Sequence, residues 1–128
     1  MNPLIRQQVQ TRAEFACEYC REQQRWSFYT FHIDHIVATR HGGSDELDNL
    51  CLACPDCNAA KGTDLTSLDP DSGEITRLFH PRKDVWDAHF RLLEGRLTGV
   101  TPTGRTTVWF LRMNDPHRVA QRLRTNQR

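Results

Sequence analysis

The sequence contains no long hydrophobic run. Across its 128 residues, no segment approaches the roughly 18 consecutive apolar residues that are needed to cross a membrane. The beginning of the chain, Met1-Asn2-Pro3, also lacks the basic and apolar regions of a secretory signal. We therefore expect a cytoplasmic protein that has no membrane partner.

A large net charge is also missing, since 17 Lys and Arg against 16 Asp and Glu give a formal charge of +1. The charge is unevenly distributed: residues 1–64 carry six basic and nine acidic side chains, whereas residues 65–128 carry eleven and seven. Near the C-terminus, five arginines face only one acidic residue, Asp115: Arg112, Arg118, Arg122, Arg124 and Arg128. Such a segment can neutralise phosphates. We expect Arg118, Arg122 and Arg124 to bind a phosphate-bearing substrate; a solvated helix face is the alternative.

Internal repeats, low-complexity tracts and clear linkers are absent as well. A chain of 128 residues is long enough for one domain with a modest core, which would gain stability from a bound metal. We predict that residues 1–64 form the functional core and that residues 65–128 extend the same compact domain; a small subdomain is the alternative for the second part.

Four of the five cysteines form two Cys-x-x-Cys pairs, Cys17 with Cys20 and Cys54 with Cys57. In each pair a tight turn can direct two thiolates at one metal ion, and two such pairs complete a tetrahedral site that is typical of structural zinc. A reducing compartment favours thiolates on a metal over disulfides. A redox function is disfavoured because it needs one reactive pair in a βαβ unit. The remaining Cys51 lies in an apolar run and is expected to be a small buried side chain.

The 33 residues between the two pairs exceed the gap of a simple zinc ribbon and must contain structure of their own. Residues 26–36 are aromatic and β-branched, which favours a strand, and residues 49–53 favour a second one. Loop-forming residues lie between them, while Pro55 and Gly62 mark the ends of a helix. The predicted order is strand, loop, strand, helix. We also predict helices at 3–15, at 103–113 and after Asn114-Asp115-Pro116, and paired strands at 86–93 and 97–100, the first of which could also be helical.

Asp34 and His35 stand near the end of the first predicted strand. Adjacent side chains on a regular strand point to opposite faces, so both can serve one site only if the strand ends or bulges there. A neutral imidazole can accept a proton from water, and the carboxylate of Asp34 with the amide oxygen of Asn58 offers hard ligands for Mg²⁺. The combination predicts phosphodiester hydrolysis. His32, on the same strand face as Asp34, is a further candidate that could support the site.

Several short motifs in this order resemble the HNH endonucleases, which have a ββα-metal (His-Me finger) fold. The resemblance rests on the two cysteine pairs, Ile33-Asp34-His35-Ile36, Gly42-Gly43, Asp48-Asn49-Leu50, and Asn58 with Lys61. Motifs within residues 77–113 also resemble the C-terminal part of a bacterial subgroup of compact, stand-alone HNH proteins. The implied fold class is α+β: a ββα-metal core clamped by a four-cysteine zinc site, with a small C-terminal α/β extension.

The resemblance also implies a role for each matched residue. His35 is the general base, and Asp34 and Asn58 bind a catalytic Mg²⁺ or Mn²⁺ ion, with Asn58 standing where the motif's third letter would be histidine. Asn49 holds the loop and orients His35, and Lys61 contacts a phosphate. The implied reaction is hydrolysis of double-stranded DNA with weak sequence preference, leaving 5′-phosphate and 3′-hydroxyl ends.

The alternative is a zinc-stabilised DNA-binding module that no longer cuts. A binding module needs no general base beside a hard-metal site. The presence of Asp34, His35, Asn49 and Asn58 therefore favours the nuclease.

Overall fold

The computed structural model describes residues 2–125 of the chain. Two compact units follow each other along the sequence, Met1–Thr63 and Asp64–Arg128. The division falls one residue before the predicted boundary, and the prediction that both parts form one compact domain stays a prediction. Within the described residues, no helix has the length and the apolar composition that crossing a bilayer requires.

Among its described residues, the first unit contains two α-helices, one small sheet and three single-turn 3₁₀ helices at Gln24–Trp26, Thr39–His41 and Leu47–Asn49. The α-helices and strands are α1 (Pro3–Arg12), β1 (His32–His35), β2 (Leu50–Ala53) and α2 (Pro55–Lys61). β1 and β2 are antiparallel, so that Asp34 lies opposite Cys51 and His35 lies opposite Leu50. β2 leads directly into α2 through Cys54. The predicted order of strand, loop, strand and helix is confirmed, and so is the α+β class.

Local backbone chemistry sets the two ends of α1. The side-chain oxygen of Asn2 accepts a hydrogen bond from the amide of Leu4, and a proline occupies the first turn, as expected for a helix start. The sequence predicts a helix to residue 15, but α1 ends at Arg12. It ends early because Glu14 and Phe15 adopt left-handed backbone conformations with φ of 55° and 56°.

β1 is shorter than the sequence predicts. Residues 26–36 have the composition of a strand, yet only His32–His35 pair with β2. The side chain of Gln24 donates to the carbonyl of Tyr29 and accepts from the amide of Phe31, both at 2.7 Å. Because these bonds use backbone groups that a strand would need, they close residues 25–30 into a loop.

The core of the first unit lies between α1, the sheet and α2. Its largest buried apolar side chains are Val9, Tyr19, Phe31, Ile36, Leu50 and Leu52. Cys51 is completely buried, as predicted, with its sulfur 3.9 Å from the hydroxyl oxygen of Tyr19. Arg12 joins the end of α1 to the start of β2, since its guanidinium donates to the carbonyls of Leu47 and Leu50 at 2.9 and 2.5 Å.

The second unit contains two hairpins and three helices among its described residues: β3 (Thr66–Leu68), β4 (Ile75–Arg77), α3 (Trp86–His89), β5 (Phe90–Leu93), β6 (Arg96–Gly99), α4 (Pro102–Phe110) and α5 (Pro116–Arg124). β3 pairs with β4, and β5 pairs with β6. The predicted strand pair about Glu94 and Gly95 is confirmed, and both turn residues adopt left-handed backbone with φ of 52° and 79°. Residues 86–93 combine both predicted alternatives, because the single turn of α3 precedes β5.

Arg118 and Arg122 of α5 lie inside the second unit, with relative exposures of 5% and 3%. Arg118 donates to the carbonyl of Leu111 at 2.7 Å. Arg122 donates to the carbonyl of Gly95 at 2.7 Å and to that of Met113. Two of these carbonyls follow the C-terminal end of α4, where the helix dipole favours a cation. The two guanidinium groups therefore connect α5 to the end of α4 and to the β5–β6 turn.

This placement differs from the expectation that all three arginines of α5 contact phosphates. The guanidinium groups of Arg118 and Arg122 donate hydrogen bonds to backbone carbonyls of the protein itself. Arg124 is exposed, and for this residue a phosphate contact stays a prediction. Arg128, which contributes to the basic C-terminal segment, lies outside the described residues.

We expect Arg122→Ala to lower the free energy of unfolding by about 2–4 kcal/mol, because two buried carbonyls lose their donor and the side chain leaves a void. The matched control is Arg124→Ala, which removes the same charge from the exposed side of the same helix and should change stability by less than about 0.5 kcal/mol. Urea titration of both variants measures the difference. Equal changes in the free energy of unfolding of the two variants would show that Arg122 does not hold α5 in place.

Candidate functional site

Four cysteine thiols converge in the first unit. Cys17 and Cys20 follow α1, whereas Cys54 and Cys57 begin α2. All four side chains are buried, and their sulfur atoms lie within 4.8 Å of one another. In each pair the backbone amide of the second cysteine donates a hydrogen bond to the sulfur of the first. The distance is 3.5 Å from Cys20 to Cys17 and 3.4 Å from Cys57 to Cys54. The two pairs therefore form similar turns that face one point.

The chemistry of this cluster fits a bound cation. Interactions with the neighbouring thiols of Cys17 and Cys20 raise the pKa of Cys54, and burial raises the pKa of Cys57. Four thiolates therefore cannot share this space without a positive charge between them. Four sulfur ligands in a closed, buried arrangement are typical of structural zinc. Among residues 2–125, no other cluster of three or more His, Cys, Asp or Glu side chains has this convergence.

Asp34 and His35 lie where β1 ends. The strand stops at His35, which meets the condition that the sequence sets for both side chains to serve one site. Asp34 is half-buried, and its Oδ2 atom is buried without a hydrogen-bond partner among the described residues. Burial raises the pKa of the Asp34 carboxyl, while the positive charge of Lys61 opposes that shift. The site thus contains a carboxylate oxygen that lacks a donor. His32, at the start of β1, is exposed.

Lys61 ends α2 and is almost completely buried, with a relative exposure of 1%. Its ammonium group donates to the carbonyl of Ile36 at 2.9 Å. This position differs from the phosphate contact that the resemblance implies, because the ammonium group lies inside the first unit. Its charge instead acts on Asp34.

Asn58 lies on α2, directly after Cys57. The cysteine cluster fixes the start of this helix, because the sulfur of Cys54 accepts the amide hydrogen bond of Cys57. α2 packs against β1, and Asn58 is half-buried. A bound zinc ion would therefore hold the helix that carries Asn58 beside the strand that carries Asp34. The assignment of Asn58 as a ligand stays a prediction.

Asn49 closes the loop between β1 and β2. Its carboxamide accepts from the amide of Val37 at 2.9 Å, and it donates to the carbonyls of Val37 and Ser44 at 2.9 and 2.8 Å. Gly43 lies against the same point: a Cβ atom there would be 1.7 Å from the carbonyl oxygen of Val37. Gly42 precedes it with a left-handed φ of 87°. These contacts hold the loop, whereas an influence of Asn49 on the orientation of His35 stays a prediction.

Asp45 is a site residue that the sequence reading missed. Its Oδ1 atom lies 2.7 Å from Nε2 of His35. The carboxylate of Asp45 is 88% exposed and the imidazole of His35 is 28% exposed. The only hint in the sequence was that an acidic residue follows shortly after Gly42-Gly43. Without the structure, Asp45 cannot be told apart from an ordinary loop residue. The distance identifies it as the partner of the imidazole.

Comparison with known families assigns the segment that contains this site. Residues 17–64 match the family model described as HNH endonuclease. The chain carries an HNH domain. The matched span contains both cysteine pairs, β1, β2 and α2 of the HNH domain, so the resemblance based on the sequence motifs is confirmed for this region. No curated protein and no solved structure matches the chain.

Proposed function

We propose that the HNH domain is a metal-dependent endonuclease that hydrolyses phosphodiester bonds of DNA and leaves 5′-phosphate and 3′-hydroxyl ends. The observation that carries this proposal is the buried Oδ2 atom of Asp34, which lacks a hydrogen-bond donor and lies next in sequence to an imidazole. A carboxylate oxygen in that state is costly unless a cation or a donor satisfies it. A module that only binds DNA gains nothing from an unpaired carboxylate oxygen beside an imidazole that can act as a general base.

The donor atoms fit a hard divalent ion. Asp34 would supply a carboxylate oxygen and Asn58 an amide oxygen, which suit Mg²⁺ or Mn²⁺ better than a soft metal. Two protein ligands leave positions for water and a substrate phosphate, as Mg²⁺ usually requires. When bound, the ion supplies positive charge against the negative charge that grows on the scissile phosphate and the departing 3′ oxygen.

His35 handles the proton in this proposal. When Asp45 accepts a hydrogen bond from Nε2–H, the neutral ring keeps its lone pair on Nδ1. Nδ1 then takes a proton from the attacking water, whose oxygen forms a bond to phosphorus as the bond to the 3′ oxygen breaks. The departing 3′ oxygen takes a proton from solvent water and becomes the 3′ hydroxyl. Asp45 positions the ring and does not itself touch the water.

The four cysteines have a separate role. A zinc ion with four thiolate ligands has no open position for water, so it stabilises the fold and takes no part in hydrolysis. It would act on the site only indirectly, because it would fix α2, and with it Asn58, through Cys54 and Cys57.

The proposal is tested by incubating purified protein with supercoiled plasmid in the presence and absence of Mg²⁺ or Mn²⁺. We expect nicked and then linear products only with the ion. Ligation of the products without prior phosphorylation reports 5′-phosphate and 3′-hydroxyl ends. DNA binding without cleavage under every ion condition would instead support the binding module.

Asp45→Asn should reduce the single-turnover cleavage rate about two- to fivefold, because an interaction with an exposed carboxylate contributes at most about 1 kcal/mol. The affinity for DNA should not change, because Asp45 acts on His35 alone. The ring ¹⁵N signals of His35 should at the same time show a smaller share of the Nε2–H tautomer. Glu46→Gln is the control, since it removes the same charge from the next residue of the loop. If both variants cleave equally slowly, Asp45 acts through the negative charge of the loop and does not position the imidazole of His35.

A further inference from the structure

Residues 25–30 form a loop with three exposed aromatic side chains, and we name this segment the aromatic loop. Phe28 is fully exposed, Tyr29 is 70% exposed and Trp26 is 47% exposed. Single exposed apolar residues are common on protein surfaces, but a continuous group of large apolar side chains usually marks an interaction site. The sequence predicts a strand here, and that interpretation did not identify this surface.

The closed shape of the aromatic loop causes the exposure of these rings. Gln24 connects the two ends of the loop through its hydrogen bonds to the backbone of Tyr29 and Phe31. The hydroxyl of Ser27 accepts from the amide of Tyr29 at 3.1 Å. Phe31 is buried in the core and anchors the end of the loop. The exposed rings of Phe28 and Tyr29 are therefore presented by an ordered turn of chain, and binding would order little additional backbone.

The charge of this segment fits a polyanion. No acidic residue occurs between Glu22 and Asp34, whereas Arg25 lies at the start of the loop. The guanidinium carbon of Arg25 is 5.1 Å from the ring centroid of Trp26. An arginine beside exposed aromatic rings, without nearby carboxylates in the sequence, is the combination by which proteins bind unpaired nucleic-acid strands.

We propose that the aromatic loop binds unpaired nucleobases by stacking, so that the preferred DNA substrate is a duplex containing a bulge, gap or mismatch. This inference rests on the proposed nuclease function and names its substrate class. In a regular duplex the bases are already stacked and paired, so rings on a protein surface cannot reach their faces. At an unpaired position the faces are accessible, and each base stacked on an aromatic ring contributes about 1–3 kcal/mol.

The position of the aromatic loop in the chain also predicts where cleavage occurs. His35 lies six positions after Tyr29 in the chain, and six extended residue-to-residue steps span at most about 22 Å. One strand of DNA advances about 3.4 Å per nucleotide. Cleavage should therefore fall within about six nucleotides of the unpaired base.

The test measures binding apart from cleavage. Fluorescence anisotropy without Mg²⁺ compares a fully paired duplex with the same duplex carrying a small central bulge that contains 2-aminopurine. The parent protein should bind the bulged DNA at least about fivefold more tightly, as one stacked base would give at the lower end of that range, and should quench 2-aminopurine. Phe28→Ala combined with Tyr29→Ala should lose this preference and the quenching, and should bind the paired duplex within about twofold of the parent. The control is Trp109→Ala, an exposed aromatic residue of α4, which should keep the preference.

Three results would overturn the inference. They are equal affinities of the parent for both DNAs, an equal loss of preference in the Trp109→Ala control, and a change in oligomeric state of the double variant with unchanged DNA binding. The last result would assign the aromatic loop to an interface between copies of this chain. A preference for bulged DNA without any cleavage in Mg²⁺ would support the stacking site and would contradict the nuclease function alone.

Discussion

His35→Ala is expected to cleave DNA about 10²–10⁴-fold more slowly than the parent protein, the range that is typical for removal of a general base. The imidazole is partly exposed and its ring bonds to the exposed Asp45. Its loss should therefore leave the core, the zinc content and the melting temperature nearly unchanged. Single-turnover cleavage with excess protein measures the effect, because it separates the chemical step from substrate release.

His117→Ala is the matched control for this prediction. His117 is exposed on α5 in the second unit, and its removal should leave the cleavage rate at the parent value. A similar loss of rate in both variants would point to a general effect of imidazole removal. Cleavage by His35→Ala at the parent rate would exclude His35 as the base, and His32 would be the first residue to test in its place.

Cys54→Ser should lose zinc and the cooperative unfolding of the first unit. Binding of structural zinc contributes about 10–16 kcal/mol in small zinc domains, which equals or exceeds the whole stability of a typical domain. The sulfur of Cys54 also accepts the amide hydrogen bond that begins α2, so its loss affects the helix that carries Asn58. Metal analysis should give one zinc per chain for the parent protein and much less for the variant.

Cys51→Ser provides the control for the zinc prediction, because it makes the same chemical change at a buried cysteine outside the cluster. It should keep one zinc per chain even if its hydroxyl lowers stability. Parent protein that is well folded without zinc, or that contains disulfides between the paired cysteines, would contradict the zinc assignment.

The parts of the fold that could be predicted depend on local chemistry. The Cys-x-x-Cys pairs form tight turns that need only a few residues. The order of strand, loop, strand and helix follows from composition and from turn residues such as Gly42 and Gly62, both of which adopt positive φ. The matched family model covers this same region, so motif order and local geometry agree there.

The parts that could not be predicted depend on contacts between distant residues. Lys61, Arg118 and Arg122 were expected to contact phosphates, and charged side chains are rarely buried. Each is buried because a backbone carbonyl from another segment accepts its hydrogen bond. The position of those carbonyls is a property of the folded chain, and no pattern in the sequence reports it.

The aromatic loop was also not predictable from local sequence, and here exposed side chains were missed instead of buried ones. Its aromatic and β-branched residues favour a strand in isolation. The side chain of Gln24 overrides that preference by bonding to the backbone of Tyr29 and Phe31. Asp45 was missed for a related reason, since the direction of a loop side chain depends on the fold of the loop, which Asn49 holds in place.

The most direct test of the nuclease proposal is the single-turnover cleavage rate as a function of Mg²⁺ concentration for the parent protein and three variants, His35→Ala, Asp34→Ala and Asn58→Ala. The parent rate should rise and saturate with Mg²⁺. Asp34→Ala and Asn58→Ala should need more Mg²⁺ and should recover part of their activity, because they weaken ion binding and leave the base in place. His35→Ala should stay slow at every concentration, because added ion does not replace a proton acceptor. Recovery of the parent rate by His35→Ala at high Mg²⁺, with no recovery in Asp34→Ala or Asn58→Ala, would contradict this division of roles.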